Sequence, residues 1–209
     1  MKSQSKLERQ KKQYDRLVTL VDSIYALVLV ILVTNLPIPS EEEWTDGTLV
    51  EFLTSQGGDF FPVIIALVLL TSYWIQNNNL FGNLVRTDVI HSSISLLQIL
   101  FVFSYLYAVI LGTEPNFEGR PGVFALQSLT AALIGIAGVI SWFYAQQNRR
   151  LLSDELTEAE IREMKRNLLG EPITALITFP CAFLGGIAWE ISWFSYPLVI
   201  RLLQRFIKA

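Results

Sequence analysis

The sequence predicts an all-α, multipass membrane protein with six transmembrane helices. Composition is the first observation: 52% of the 209 residues are hydrophobic and 17% charged, with a mean hydropathy of +0.42. A soluble domain of this size carries about 25% charge. The second is segregation, since long stretches hold no charge and Lys and Arg gather between them. The third is an asymmetry. With six spans and both termini on one side, that side collects 15 of the 16 Lys/Arg and the other keeps only Arg120. By the positive-inside rule, both termini are then expected in the cytoplasm, with the chain in the plasma membrane. A lone Cys181 leaves no internal disulfide and no cysteine-based metal site to expect.

Residues 1–15 are polar and basic and read as a cytoplasmic N-terminal segment, either a helical extension or a frayed tail. Residues 16–209 read as one transmembrane domain. Helix one is expected over about 16–36, stopped at Pro37-Ile-Pro39, because proline donates no hydrogen bond and restrains the residue before it. An acidic link over 40–57 (Glu41, Glu42, Glu43, Asp46, Glu51) breaks at Gly57-Gly58. Helix two is expected over about 60–80, ending in Gln76-Asn77-Asn78-Asn79, helix three over about 88–111 and, after a turn-rich loop, helix four over about 122–147. Residues 149–171 carry eleven charges on a helical pattern and read as a short amphipathic connector. Helices five and six are expected over about 172–189 and 191–207, with a tight turn at Glu190, which would be solvated at the outer surface. The long spans approach the roughly 20 apolar residues that a bilayer requires.

Helix one holds the candidate site. It opens with Arg16 and Asp22, and from Ser23 to Leu36 no charge appears. An ionisable residue inside a membrane helix costs about 2.5–3.5 kcal/mol on insertion scales and therefore asks for a reason. At 100° per residue, Ser23, Leu27, Val30 and Thr34 fall within about 60° of one another, and Ile31 borders them. The stripe is hydroxylic at its ends and aliphatic in the middle. It reads either as pore lining or as lipid-facing aliphatics beside an interhelical polar contact. Rings of aliphatic side chains gate by dewetting, so a pore with this middle is physically coherent. No Thr-Val-Gly-Tyr-Gly carbonyl filter occurs. Asp22 lies about 100° off the stripe and about 120° from Arg16, so a direct pair is not expected. Asp22 is expected to point at a neighbouring helix, towards Trp74, Asn77, Asn78 or a hydroxyl of helix three.

His91 is the only histidine, set among Ser92, Ser93 and Ser95. It reads as an interhelical hydrogen-bonding residue, with pH sensing as the other reading. Trp74, Trp142, Trp189 and Trp193 stand near predicted helix ends, where interfacial anchoring is the plain explanation. Gly135 and Gly138, with Ala131, Ala132 and Ala137, make helix four a close-packing surface. No catalytic constellation, metal cluster or phosphate loop points to an enzyme, and neither a cofactor nor a nucleic-acid partner is expected.

The opening stretch resembles the signature of the transmembrane protein 175 family of potassium channels: Arg, three residues, then Phe-Ser-Asp at the start of helix one, followed by a long aliphatic run ending near a proline. Arg16 and Asp22 match in type and spacing, with Leu20 and Val21 in place of Phe-Ser. Trp74, Leu80-Phe81 and Asp88 sit at family-like spacing, with Asn77 where many members have histidine. The resemblance implies a potassium-permeable homotetramer in which helix one of each subunit lines a central pore. It implies a main constriction at Leu27, with Val30 in place of a threonine that favours potassium and Thr34 at the next pore position. It also implies that Arg16 and Asp22 are structural, tying helix one to its neighbours. K+ would be the permeant ion, and the partners would be the bilayer, monovalent cations and three further copies. A secondary transporter or exporter subunit is the alternative, although helices one to three and four to six do not echo each other as inverted repeats would.

Overall fold

The computed structural model describes residues 2–36, 50–51, 57–114 and 116–206, with side chains of residues 8–36, 50–51, 60, 62–114 and 116–206. The Pro37-Ile-Pro39 stop and the acidic residues Glu41, Glu42, Glu43 and Asp46 lie outside the described residues. The elements are α1 (Lys2–Thr34), α2 (Gly57–Gly82), α3 (Val89–Thr113), α4 (Pro121–Gln146), α5 (Glu158–Cys181), α6 (Gly186–Ser192) and α7 (Tyr196–Phe206). A 3₁₀ turn, Trp193–Ser195, joins α6 to α7, so among the described residues these elements make six long helical rods, with Val50 and Glu51 helical besides. Among the described residues four helices are long and apolar enough to cross a membrane: those containing α1, α3, α4 and α5.

Local chemistry sets the helix ends. Asp88 caps α3, its carboxylate accepting the His91 amide at 2.9 Å, which satisfies one of the first-turn donors that a helix leaves open. Pro121 starts α4, where its missing N–H costs nothing. Thr157 and Glu160 form a reciprocal capping box at the start of α5. In the linker before it, Asn148 and Arg149 adopt positive φ, and Arg149 reaches the Leu156 carbonyl.

Of the two readings of the polar N-terminal segment the helical extension holds, as α1 runs unbroken from Lys2 to Thr34. Two expectations need correction here. The amphipathic connector is much shorter than 149–171: the capping box begins α5 at Glu158, and the helix continues through Pro172 to Cys181. The last boundary is also displaced. The chain turns at Gly185, whose φ of 117° suits glycine alone, and Glu190 lies half-buried within α6. The irregularity near it is the 3₁₀ turn before Pro197, which cannot donate the amide bond that an α-helix would send back to Trp193.

The core centres on α4. Ala131, Ala132 and Ala137 are buried with Gly135 and Gly138, as the small-residue pattern predicted. A β-carbon on Gly135 would stand 2.6 Å from Pro172 Cδ, and one on Gly138 would stand 3.2 Å from Gln98 Nε2. Glycine is what allows α3 and α5 to approach this closely. Buried polar groups cross the interfaces: Tyr73 donates to the Ala131 carbonyl at 2.7 Å, and Gln98 to that of Ile134 at 3.2 Å. Trp142 and Trp189 are fully buried and Trp193 nearly so, which replaces the expected interfacial role of all three. Trp189 stacks on Phe124 at 4.7 Å and donates to Ser128 Oγ at 2.8 Å, while Ser128 meets Thr178 at 2.8 Å. A buried indole N–H calls for such an acceptor.

The basic linkers share one end of the bundle. Arg86, between α2 and α3, donates twice to the Arg150 carbonyl, between α4 and α5, at 3.0 and 2.8 Å. Tyr14 of α1 reaches the Phe81 carbonyl at the same end, at 2.6 Å. Arg120 lies at the start of α4, in the loop at the opposite end.

Candidate functional site

Helix α1 has two unlike faces. Leu17, Val21, Tyr25, Val28 and Leu32 are buried against the bundle. On a wheel that sets Ser23 at zero, they centre near 160°, whereas Ser23, Leu27, Val30 and Thr34 centre near 10°. All four residues of that stripe are exposed, Leu27 at 52% and Val30 at 60%, and Ile31 is half-buried at its edge. Packing within the chain therefore uses one face of α1 and leaves the predicted stripe free along its length. The hydroxyls at its ends bond to their own helix: Ser23 to the Thr19 carbonyl at 2.7 Å and Thr34 to that of Ile31 at 2.8 Å. Each keeps acceptor lone pairs facing outward.

Behind the stripe a polar clamp joins α1 to α2. Trp74 Nε1 donates to Asp22 Oδ1 at 3.0 Å. With its amide turned, Asn78 donates to the same oxygen at 3.0 Å. Asn77 is buried and donates to Tyr25 Oη at 3.1 Å. Asp22, Trp74 and Asn78 thus meet as the angular argument required, with Asn77 serving Tyr25 instead, and Asp22 ties helix one to its neighbour. Arg16 does not. It is exposed, pairs with no acid among the described residues, and lines a surface groove with Lys12, Asp15, Thr19 and Ser23. Among the described residues the tie expected of Arg16 to a neighbouring helix is absent, because Arg16 lies on the stripe side of the wheel.

His91 is fully buried between helices, with Nδ1 3.0 Å from Thr87 Oγ1 and Nε2 3.0 Å from Ser141 Oγ. Both ring nitrogens are matched to hydroxyls that donate or accept, so the interhelical reading holds. Phe81 meets the His91 ring edge-on at 5.9 Å and Tyr14 at 6.2 Å, which links α1, α2 and α3 through one aromatic row. Asp88 has a second task beside its cap: Oδ2 accepts from Tyr144 Oη at 2.7 Å.

Sequence reasoning passed over Glu171, which is 2% exposed in the middle of α5. It was counted with the connector because charges precede it. The signal that separates it is Thr157-x-x-Glu160, the capping-box pattern that starts the helix well before Glu171.

Residues 16–105 match the family model described as "Endosomal/lysosomal potassium channel TMEM175". Among solved structures, the chain resembles a lysosomal potassium-selective channel TMEM175 homolog from Chamaesiphon minutus, with a TM-score of 0.72 and 17% identity over 95% of this chain and all of that one. It also resembles a variant of the potassium channel MtTMEM175, solved in complex with a nanobody–MBP fusion, with a TM-score of 0.63 and 17% identity over 91% of this chain and 92% of that one. No curated protein sequence matches it. The family that the opening stretch resembles is the one whose model it matches, and the all-helical fold of nearly the whole chain is shared with two channels of that kind.

Proposed function

Taking residues 16–105 as a TMEM175-family segment, we propose that this chain is one subunit of a potassium-permeable cation channel, a homotetramer with α1 of each copy facing a central axis. The observation that carries the reading is the free stripe: a long apolar helix packs by one face and leaves Ser23, Leu27, Val30 and Thr34 exposed along the other. Four such stripes around an axis make rings of side chains in place of carbonyl ligands. The Leu27 ring is the constriction, where a cation sheds water and a closed pore dewets. The hydroxyls of Ser23 and Thr34 flank it and receive the partly stripped ion. Asp22, clamped by Trp74 and Asn78, positions α1 and stays out of the conduction path. Both termini lie in the cytoplasm of a plasma-membrane protein, a placement supported by the basic linkers that meet at one end of the bundle.

The decisive measurement is K+ against Na+ flux in liposomes, paired with the mass of the detergent-extracted oligomer. Four copies and a cation flux that changes about tenfold or more with Leu27→Asn are expected, whereas Leu29→Ala, on the packed side, leaves flux within about twofold. A tenfold change corresponds to about 1.4 kcal/mol in the barrier. Equal flux changes at Leu27 and Leu29 would remove the stripe from the conduction path. Saturable flux coupled to a counter-ion would identify a transporter instead.

A further inference from the structure

A cavity of about 390 Å³ opens between α2, α5 and the joint of α6 with α7. Its size falls in the range of small-molecule sites, about 300–1,000 Å³. Ile65, Val68 and Leu69 of α2 form one wall and Trp193 and Phe194 the other, so it is almost wholly apolar. Glu171 is the one charged residue on the lining, beside the hydroxyls of Ser72, Thr174 and Tyr196. It lies about 20 Å along α5 from Glu158 and about 15 Å from Cys181, in the apolar part of the helix about 7.5 Å past Arg166, the last residue of its charged run. Tyr196 donates to Oε1 at 3.2 Å, and the Gln76 side chain is a second hydrogen-bonding neighbour of the carboxyl group. Among the described residues Oε2, buried, has no hydrogen-bond partner of its own. The hydroxyl of Thr174, the nearest α5 donor on the lining, is already committed to the Gly170 carbonyl at 2.9 Å. Among the described residues no Lys, Arg or His pairs with Glu171.

A buried acceptor left unmade costs about 1–3 kcal/mol, and more when it is ionised. An acid at membrane depth costs a further few kcal/mol, which marks it as functional unless something repays it. The missing partner is a single donor, preferably cationic, at the end of an apolar body. We propose that this cavity binds a small lipophilic amine, its ammonium on Glu171 Oε2 and its hydrocarbon between Leu69 and Phe194. Trp193, with its ring on the cavity wall, adds an aromatic face to the cation. The cavity opens at the 3₁₀ turn that joins α6 to α7, where Trp193, Phe194, Tyr196 and Pro197 line it. The site lies on the far side of α2 from the α1 stripe, and nothing in it requires the channel reading.

The test uses the full chain in nanodiscs of zwitterionic lipid, with 8-bromooctylamine, 8-bromooctanol and 8-bromooctanoate as probes. Bromine quenches the indole of Trp193 at contact, so binding is read without flux. Saturable quenching by the amine, at least tenfold tighter than by the alcohol and absent with the carboxylate, is expected. Glu171→Gln should bring amine and alcohol to equal affinity, and Trp193→Phe should remove the saturable quenching. Ile65→Phe fills the cavity with the carboxyl group intact and should abolish saturation by both, which keeps the test decisive if Glu171→Gln does not fold. Equal affinity of the three probes for the wild-type protein, or a preference for the amine that survives Glu171→Gln, would overturn the proposal. So would quenching that rises without saturation, as simple partition into lipid gives.

Discussion

Helix α4 and the C-terminal part of α1 from Ser23 onward are both apolar and uncharged, yet the fold uses them in opposite ways. In α4, 67% of the most apolar window is buried inside the subunit, against 28% in α1. Helix α4 is finished by its own chain: alanine and glycine let α3 and α5 close on it, and glutamine and serine side chains bond across the contacts. Helix α1 is finished on one face only. A membrane adds no hydrophobic drive to bury the other, since lipid tails are as apolar as leucine. What distinguishes the free face of α1 is therefore its order, with hydroxyls at both ends and Leu27 and Val30 between, on a helix held from behind by the Asp22–Trp74 clamp.

Substitutions separate the two helices by what they disturb. Gly135→Val places side-chain atoms where Pro172 already stands 2.6 Å from a bare β-carbon, and it should destabilise the subunit by about 1–3 kcal/mol in a denaturation series. Oligomer mass would be unchanged in whatever fraction folds. Leu27→Ala is the converse. Exposed at 52%, it should alter subunit stability by no more than about 0.5 kcal/mol while changing liposome flux. A loss of about 2 kcal/mol there, the scale of a buried leucine cut to alanine, would mean that the stripe is packed in the assembled protein, and the contrast with α4 would fail. His91→Leu takes the imidazole partner from Ser141 and one of the partners of Thr87, which keeps Ser92, and should cost about 1–2 kcal/mol, with Ser141→Ala roughly half as damaging. Trp74→Phe should cost the least, about 0.6 kcal/mol, the usual worth of one hydrogen bond between membrane helices. Its sharper readout is flux, because α1 would lose one anchor behind the stripe. Within the stripe, Val30→Thr restores the hydroxyl that the family resemblance places there and should raise the K+/Na+ flux ratio. An unchanged ratio would separate Val30 from selectivity.

Much of this was legible in residue order. Charge segregation and basic asymmetry predicted the helical rods and their common end, and angular arithmetic on helix one predicted both the stripe and the direction of Asp22. Small residues on α4 pointed to close packing by their spacing alone. The misreadings share one cause: tryptophan near a predicted helix end and charge near a predicted linker were assigned by neighbourhood in sequence. Trp142 and Trp189 are interior, and Glu171 is the middle of a helix whose start was marked by a cap rather than by hydropathy.

Composition, periodicity and capping residues are local properties, so the chain alone determined where its helices run and which face of α1 carries hydroxyls and aliphatics. Which faces meet is a property of pairs far apart in sequence. Only the tertiary structure decided that Asn77 would serve Tyr25, that His91 would lie between Thr87 and Ser141, and that a carboxylate oxygen of Glu171 would be buried without a donor among the described residues. A hydrogen bond or a cavity exists only when two or three helices set their distance, and that distance follows from the glycines and prolines that let them approach or force them apart.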